Sequence, residues 1–362
     1  MKSIIAATIL ALSTIAPTVS AHGYVQNVIL NGNTFTAFLP FQDNYDPKPS
    51  PKRITRHIPD DGPVTDFNSK SIVCNVGAQD ASQRTTSHGA VPAGGDVTFR
   101  WDRWPTDHHG PVTTYMASCG TDCSNFDATG NVWFKIDQLG LVSGTTDTGT
   151  WASDVLIANN ISWTVTIPPK LKSGAYLIRH EILALHSAGA PQFYPHCSQL
   201  VVTGSGTATP SSSELVAIPG IYKNDQSTMI NIWNNGQTKY TIAGPAVTKI
   251  GAYTTTNSKN KLGGGTGPIP FKAGKILSGN AVTSAIGSTG ENVASGNSAG
   301  TTTTKAATTT TKAATTTKAN TTKASVAAAS TTPVKSCKVS TKKRNASKTA
   351  KRHAKKRLST DH

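Results

Sequence analysis

The chain contains no apolar run long enough to cross a bilayer: the stretch from Ile4 to Leu12 falls well short of the roughly 20 residues a membrane helix needs. Lys2 ahead of that stretch and Val19-Ser20-Ala21 after it form the charged, apolar and small-residue zones of a secretory leader. Residues 1–21 are therefore expected to be removed, giving a secreted, extracellular protein with no membrane partner and with His22 as its first residue. Acidic residues are also scarce, 19 against 35 Lys and Arg, and the formal charge is +16. Spread over a folded surface, that surplus would suit a nucleic acid. Much of it lies instead in "KSCKVSTKKRNASKTAKRHAKKRLSTDH" from Lys335 onward, and a secretory leader conflicts with a nucleic-acid partner.

No spacing marks any two carboxylates as an acid–base pair. Asp102, Asp107, Asp137 and Glu181 are expected in solvated turns and surface charge pairs, which disfavours a glycosidase with two carboxyl groups at a set separation. Cysteine is sparse too. Four of the five (Cys74, Cys119, Cys123, Cys197) precede residue 200, and Cys337 stands alone in a polar tail. An oxidising compartment favours two bridges and one leftover thiol. Three pairings are possible; a Cys119–Cys123 clip over "CGTDC" is the local candidate and would leave Cys74 for Cys197. Cysteines committed to bridges cannot supply the thiolate of a blue-copper centre.

What is present between residues 22 and 250 is short-range alternation. "GGDVTFRWDRW", "NVWFKID", "ISWTVTIPP", "GAYLIRHEILALH" and "SQLVVTG" read as strands separated by Gly, Pro, Asn and Asp turns. The predicted fold is all-β, an immunoglobulin-like or fibronectin-like antiparallel β-sandwich with long loops, followed by a disordered tail. Residues 251–334 turn to Gly, Ser, Thr, Ala and Lys, a composition that cannot bury enough apolar surface to offset ordering, and are expected to be an O-glycosylated linker. Residues 335–362 form the basic tail, expected to adhere electrostatically to anionic wall polymers. Sequons begin at Asn160, Asn320 and Asn345, and no Cys-rich cellulose-binding module follows residue 250.

Three segments could carry chemistry. A mature N-terminal His22 offers a free α-amine and an imidazole Nδ1 to one metal ion, and the amine's reference pKa of about 8 makes it easier to deprotonate than a lysine. In "PTDHHGPVTTYMASC", His108 and His109 precede a rigid Gly110-Pro111 corner; one is the ligand candidate and the other is expected to be solvated. In "LIRHEILALHSAGAPQFYPHC", a regular strand puts His180, Ile182 and His186 on one face and Arg179 and Glu181 on the other, and brings His186, Gln192 and Tyr194 near its end. A nitrogen-rich set with open positions suits copper over magnesium or calcium.

Together these segments resemble the fungal lytic polysaccharide monooxygenases of auxiliary-activity family nine, once filed among the glycoside hydrolases. The resemblance runs from "HGYVQNVILNG" through "HHGPVTTYMASC", "GTWASDVLIANNISWTVTIPPKLKSGAYLIRHEILALHSAG" and "QFYPHC" to "IPGIYKND" and "INIW", nearly the whole folded region but not the tail. It implies one copper ion held by the amine and Nδ1 of His22 and by Nε2 of His108, with Tyr194 axial and His186 and Gln192 in the outer shell. It also implies the bridges Cys74–Cys197 and Cys119–Cys123. The implied reaction is oxidative: an external electron donor and dioxygen or hydrogen peroxide lead to hydroxylation at C1 or C4 of cellulose or a related β-1,4-glucan, and the hydroxylated carbon then breaks down by elimination. A monomer is expected.

A polymer-cleaving surface needs exposed aromatics to stack on sugar rings, and Tyr24, Tyr222 and Tyr240 are the candidates; Trp101, Trp133 and Trp163 are assigned to the core. Two competing readings are a secreted copper-binding cell-wall protein without oxidase chemistry, which should lack the outer Gln and Tyr, and a polysaccharide-binding module, which leaves the histidines unexplained. The N-terminus tests the leading one directly. Mass spectrometry of the secreted protein is expected to find a chain beginning at His22, and a form retaining one residue before it should lose its copper and its activity.

Overall fold

The structure, a computed structural model, describes residues 22–46, 51–234, 236–254, 259–262 and 270–288. Packing divides the chain into Met1–Ala299 and Gly300–His362. The leader, the basic tail, Cys337 and the sequons at Asn320 and Asn345 lie outside the described residues.

The alternating segments become strands. Among the described residues these are β1 (Val25–Leu30), β2 (Asn33–Thr36), β3 (His88–Pro92), β4 (Asp96–Trp101), β5 (Val112–Gly120), β6 (Asn131–Leu139), β7 (Leu141–Ser143), β8 (Thr150–Trp151), β9 (Ser162–Thr166), β10 (Gly174–Ala184), β11 (Gln192–Thr203), β12 (Val216–Ala217) and β13 (Ile276–Leu277). The helices are short: α1 (Pro40–Asp43), α2 (Ser71–Cys74), α3 (Ala152–Ala158) and α4 (Asn280–Ala285). A four-stranded sheet in the order β2-β1-β4-β9 faces a seven-stranded sheet in the order β12-β6-β5-β10-β11-β3-β13, and β7 pairs with β8. The β-sandwich forms as predicted, with one departure: β3 runs parallel to β11.

Val28, Leu30, Phe99, Trp101 and Trp163 of the smaller sheet meet Met116, Phe134, Ile178, Ile182 and Leu200 of the larger one in the main core. A second core covers the outer face of the larger sheet, where Tyr115, Trp133, Leu177, Leu183 and Phe193 pack on α2 and Trp151. Strand β10 is therefore buried at all of its positions, its apolar ends enclosing the polar run Arg179-His180-Glu181. Trp101, Trp133 and Trp163 are core residues, as assigned.

Double burial overturns the expectation for two of the carboxylates. Glu181 is 1 % exposed and takes hydrogen bonds from Arg179 and the Tyr222 hydroxyl, while Asp137 is 2 % exposed and accepts the Trp163 Nε1 hydrogen at 2.8 Å. Arg179 also donates from Nε and Nη2 to the carbonyls of Val73 and Ile72, both at 2.8 Å. A charge in this position persists because its partners replace water completely. On the opposite face of β10, His180 stacks on Phe99 with ring centroids 4.2 Å apart and accepts the Trp101 Nε1 hydrogen at its Nε2, 3.2 Å away. An indole is only a donor, so that nitrogen carries a lone pair, and burial holds the imidazole well below its usual pKa.

The domain does not stop at residue 250. Ile276 and Leu277 of β13 pair with Gly89 and His88, and Gly274 N donates to the Thr34 carbonyl at 2.8 Å. Leu277, Val282 and Ala285 pack on Cys123, Ala175 and Val201. Part of the segment expected to be linker, through Ala285, therefore packs on the sandwich, since it finds its apolar contacts at the sheet edge. Both expected bridges are present, Cys74–Cys197 tying α2 to β11 and Cys119–Cys123 clipping the end of β5. Removing the first, which closes a separation of 123 residues, should cost about 4–5 kcal/mol by loop entropy, and removing the clip much less. Urea titrations of Cys74→Ala/Cys197→Ala and Cys119→Ala/Cys123→Ala proteins check the ranking.

Candidate metal centre

The centre is assembled at one end of the sandwich by close backbone contacts. A Cβ on Gly23 would lie 2.0 Å from the Arg103 carbonyl oxygen, so only glycine lets the chain entering β1 press against the segment after β4. Tyr24 N donates to Asp102 Oδ1 at 2.9 Å and Asp102 N donates to the Tyr24 carbonyl at 3.0 Å. His22 is thereby anchored beside the loop that carries His108.

That loop is fixed from within. Trp104 Nε1 donates to the His108 carbonyl at 3.1 Å, and His108 N donates to the Pro105 carbonyl at 3.3 Å. A Cβ on Gly110 would lie 1.8 Å from the Leu183 carbonyl oxygen, and Leu183 N and Leu185 N donate to the carbonyls of Pro111 and His109 at 3.1 and 2.8 Å. The Gly110-Pro111 corner thus lies directly on the end of β10. The β10–β11 register, with Ala184 opposite Gln192 and Ile182 opposite Tyr194, brings the two β11 side chains to the same end.

His22, His108 and Tyr194 converge. The ring of His22 lies 5.6 Å from that of His108 and 5.7 Å from that of Tyr194, centroid to centroid. His186 stacks on His108 at 3.7 Å with 25° between planes, and Trp233 Nε1 donates to the His186 carbonyl at 2.6 Å. The Tyr194 hydroxyl donates to Gln192 Oε1 at 2.8 Å, and its ring meets Trp104 edge-on at 4.9 Å. All five residues singled out in the sequence therefore gather here. His109 diverges from the expectation of a solvated ring: it is 3.1 Å from Asp154 Oδ1 and edge-on to Trp233, because the loop beneath it is packed.

The donor chemistry fits a metal. His108 Nδ1 lies 2.8 Å from Asp107 Oδ1, and an ionised carboxylate only accepts, so Nδ1 carries a proton and in the neutral ring Nε2 is the nitrogen with the lone pair. That Nε2 is buried without a hydrogen-bond partner. Leaving such an atom unsatisfied costs about 1–3 kcal/mol, which a bound cation would offset. Asp107 is held below the usual carboxylate range by its hydrogen bond to His108. Burial, then the neighbouring His108, lowers the pKa of His186, and burial, then Asp61, raises that of the Tyr194 phenol. A neutral phenol is a weak ligand. Among the described residues no three His, Cys, Asp or Glu side chains form a metal-ligand cluster, so two imidazoles need a further donor, and the α-amine of a mature His22 would supply it.

The substrate tyrosines need correction. Tyr222 is 5 % exposed with its hydroxyl on Glu181, and its ring meets Phe193 at 4.6 Å, so it has no face for a sugar. Tyr240 is half-buried edge-on to Trp151 with its hydroxyl on the Ser227 carbonyl, and Tyr24 is 8 % exposed against Phe41. Asp102, Trp104 and Trp233 are the residues that sequence reasoning missed. Nothing in their local pattern distinguishes a tryptophan that positions a histidine from one that fills a core.

The family described as Auxiliary Activity family 9 (formerly GH61) matches residues 22–240. The chain is 44 % identical over 239 residues to AA9 family lytic polysaccharide monooxygenase B of Heterobasidion irregulare, spanning 66 % of this chain and 96 % of that one. It is 44 % identical over 251 residues to AA9 family lytic polysaccharide monooxygenase D of Geotrichum candidum, spanning 68 % and 74 %. Among solved structures, HiLPMO9B matches at 43 % identity with a TM-score of 0.57, covering 62 % of this chain and 99 % of that one. The extended catalytic domain of H. jecorina LPMO9A matches at 34 % identity with a TM-score of 0.61, covering 70 % and 98 %.

The seam at Gly23 gives the sharpest test of this geometry. Gly23→Ala should force His22 away from the His108 loop and weaken copper binding at least tenfold, about 1.4 kcal/mol, in a calorimetric titration.

Proposed function

This chain belongs to Auxiliary Activity family 9, whose members are copper-dependent lytic polysaccharide monooxygenases, and we propose that it is a secreted enzyme of that kind acting on cellulose or a related β-1,4-glucan. A solved relative from M. thermophila is described as a cellulose-active polysaccharide monooxygenase and is 34 % identical. The observation that carries the reading is the buried, unpartnered His108 Nε2 beside His22, with the proton of the same ring held on Nδ1 by Asp107.

In this reading the amine and Nδ1 of mature His22 and Nε2 of His108 would hold copper, with the Tyr194 phenol beside them. Copper so held supplies one-electron redox chemistry with an external reductant and dioxygen or hydrogen peroxide. The protein's own groups set the geometry. Asp107 fixes the His108 tautomer, an outer contact of the type that orients ligands and raises their basicity. Gln192 holds the Tyr194 hydroxyl, and Trp104 supports both Tyr194 and His108 edge-on, so the phenol is confined to one orientation. His186, stacked on His108 and with its pKa lowered by burial, offers ring nitrogens to a small oxygen-bearing reactant. The glucan is hydroxylated at C1, C4 or both, and elimination then breaks the adjacent glycosidic bond.

Copper-loaded mature protein with a reductant and peroxide is expected to release oxidised cello-oligosaccharides, read by mass spectrometry. Stoichiometric copper with no oxidised product on cellulose, xylan or glucan would overturn the enzymatic reading and leave a copper-binding wall protein. His108→Ala should lose tight copper binding altogether. Tyr194→Phe should keep copper while altering its paramagnetic spectrum and slowing product release.

A further inference from the structure

The histidine pair leaves one ring without a role. His108 belongs to the candidate centre, while His109 sits in a packed corner beside it, its side chain 21 % exposed. Its buried Nδ1 lies 3.1 Å from Asp154 Oδ1, and Asp154 is itself fixed at the start of α3, where its Oδ2 accepts the Trp151 N–H at 2.7 Å. The backbone around His109 is equally constrained. Gly110 N donates to Ser153 Oγ at 3.1 Å, Ser153 N donates to the Gly110 carbonyl at 3.2 Å, and Leu185 N donates to the His109 carbonyl at 2.8 Å. The ring is therefore held between α3 and the end of β10.

The same ring meets the Trp233 indole edge-on, with centroids 6.0 Å apart, inside the range of an attractive aromatic pair. Trp233 follows Ile232, which is buried in the second core, and its N–H donates to Asn231 Oδ1 at 3.0 Å, so its main chain is set by packing while its indole is only half-buried. From there Nε1 donates to the His186 carbonyl at 2.6 Å.

His186 depends on such holds. Its Nδ1 is buried without a hydrogen-bond partner, and the loop after it is exposed over Ala188, Gly189 and Ala190 and closes on itself, Ala190 N donating to the Ser187 carbonyl at 3.0 Å. What places its ring is the stack on His108 and two main-chain bonds, Leu185 N on the His109 carbonyl just before it and Trp233 Nε1 on its own carbonyl. Both bonds lead back to His109. We propose that His109 is a positioning residue: wedged between Asp154 and Trp233, it keeps the Trp233 indole on the His186 carbonyl and so keeps the His186 ring stacked on His108. The two adjacent histidines then divide the work, the first offering Nε2 and the second orienting the ring that covers the first. The proposal rests on the reading of His186 as the group that faces a small oxygen-bearing reactant.

The test is the hydrogen exchange of the Trp233 indole N–H, read by proton–nitrogen resonance on the mature full chain with copper kept reduced and diamagnetic. His109→Ala removes the ring but leaves the carbonyl that Leu185 uses, and exchange at Trp233 should become about tenfold faster through local opening. His109→Phe should recover part of that loss, because the edge-on contact needs a ring. The Trp163 indole N–H, bonded to Asp137 in the core, should exchange as before in both. Turnover of a soluble cello-oligosaccharide by His109→Ala should fall about fivefold in kcat, the rate equivalent of one ordinary hydrogen bond, with KM little changed. Copper affinity should stay within about threefold, since Asp107 and Trp104 still hold His108. Unchanged exchange at Trp233, equal acceleration at Trp163, a Phe variant as fast as the Ala variant, or an unchanged kcat would overturn the proposal. Absence of oxidised products from the unsubstituted protein would instead count against the enzymatic reading, while the exchange result would still decide the positioning role.

Discussion

The seam between Gly23-Tyr24 and Asp102-Arg103 is the contact on which the candidate centre depends. It is a main-chain contact that tolerates no side chain, and it lies one residue from His22 and six before His108. Without it the N-terminal histidine would be the free end of a strand, with the entropy of a free end. With it, the chain two residues from His22 is pinned to Asp102 by two hydrogen bonds. The Asp102 carboxylate that closes the seam accepts from Tyr24 N on Oδ1 and from Arg103 Nε on Oδ2, and this explains an acidic residue beside a cation site that it does not ligate.

Strand β10 supplies the other fixed reference. One of its faces holds Arg179 and Glu181 among the carbonyls of α2, and the other holds His180 between Phe99 and Trp101. Each polar group is matched by a partner, so the strand is rigid in register as well as position. Gly110 and Pro111 rest on its end, and the positions of His108 and His186 follow from where that strand stops. The centre is therefore carried by loops, but by loops whose backbone hydrogen bonds end on the best-buried strand of the sandwich.

Trp104 joins the two halves of this arrangement. Its indole N–H holds the His108 carbonyl, and its ring touches Trp101 at 5.2 Å in the core and Tyr194 at 4.9 Å in the centre. Orientation of the ligands is thus transmitted from core packing, in the manner expected of a site whose groups must hold their geometry without relaxing.

The sequence by itself determined the sandwich, because alternation with a period of two and turn residues are local signals; the two bridges and the set His22, His108, His186, Gln192 and Tyr194 are what its family resemblance implies, since the cysteine count alone leaves three pairings open. It did not determine which aromatics face solvent. Tyr222, Tyr240 and Phe41 are equally plausible on paper, and only the packing of Phe193, Trp151 and α1 around them decides that the first is buried and the last exposed. Nor did it locate the end of the domain, since Ile276 and Leu277 make too short an apolar pattern to read as a strand until the edge of β3 is there to receive them. The same holds for Glu181 and Asp137, whose charges look solvated until Arg179, Tyr222 and Trp163 enclose them. Burial is a property of what comes from elsewhere in the chain, and no local window contains it.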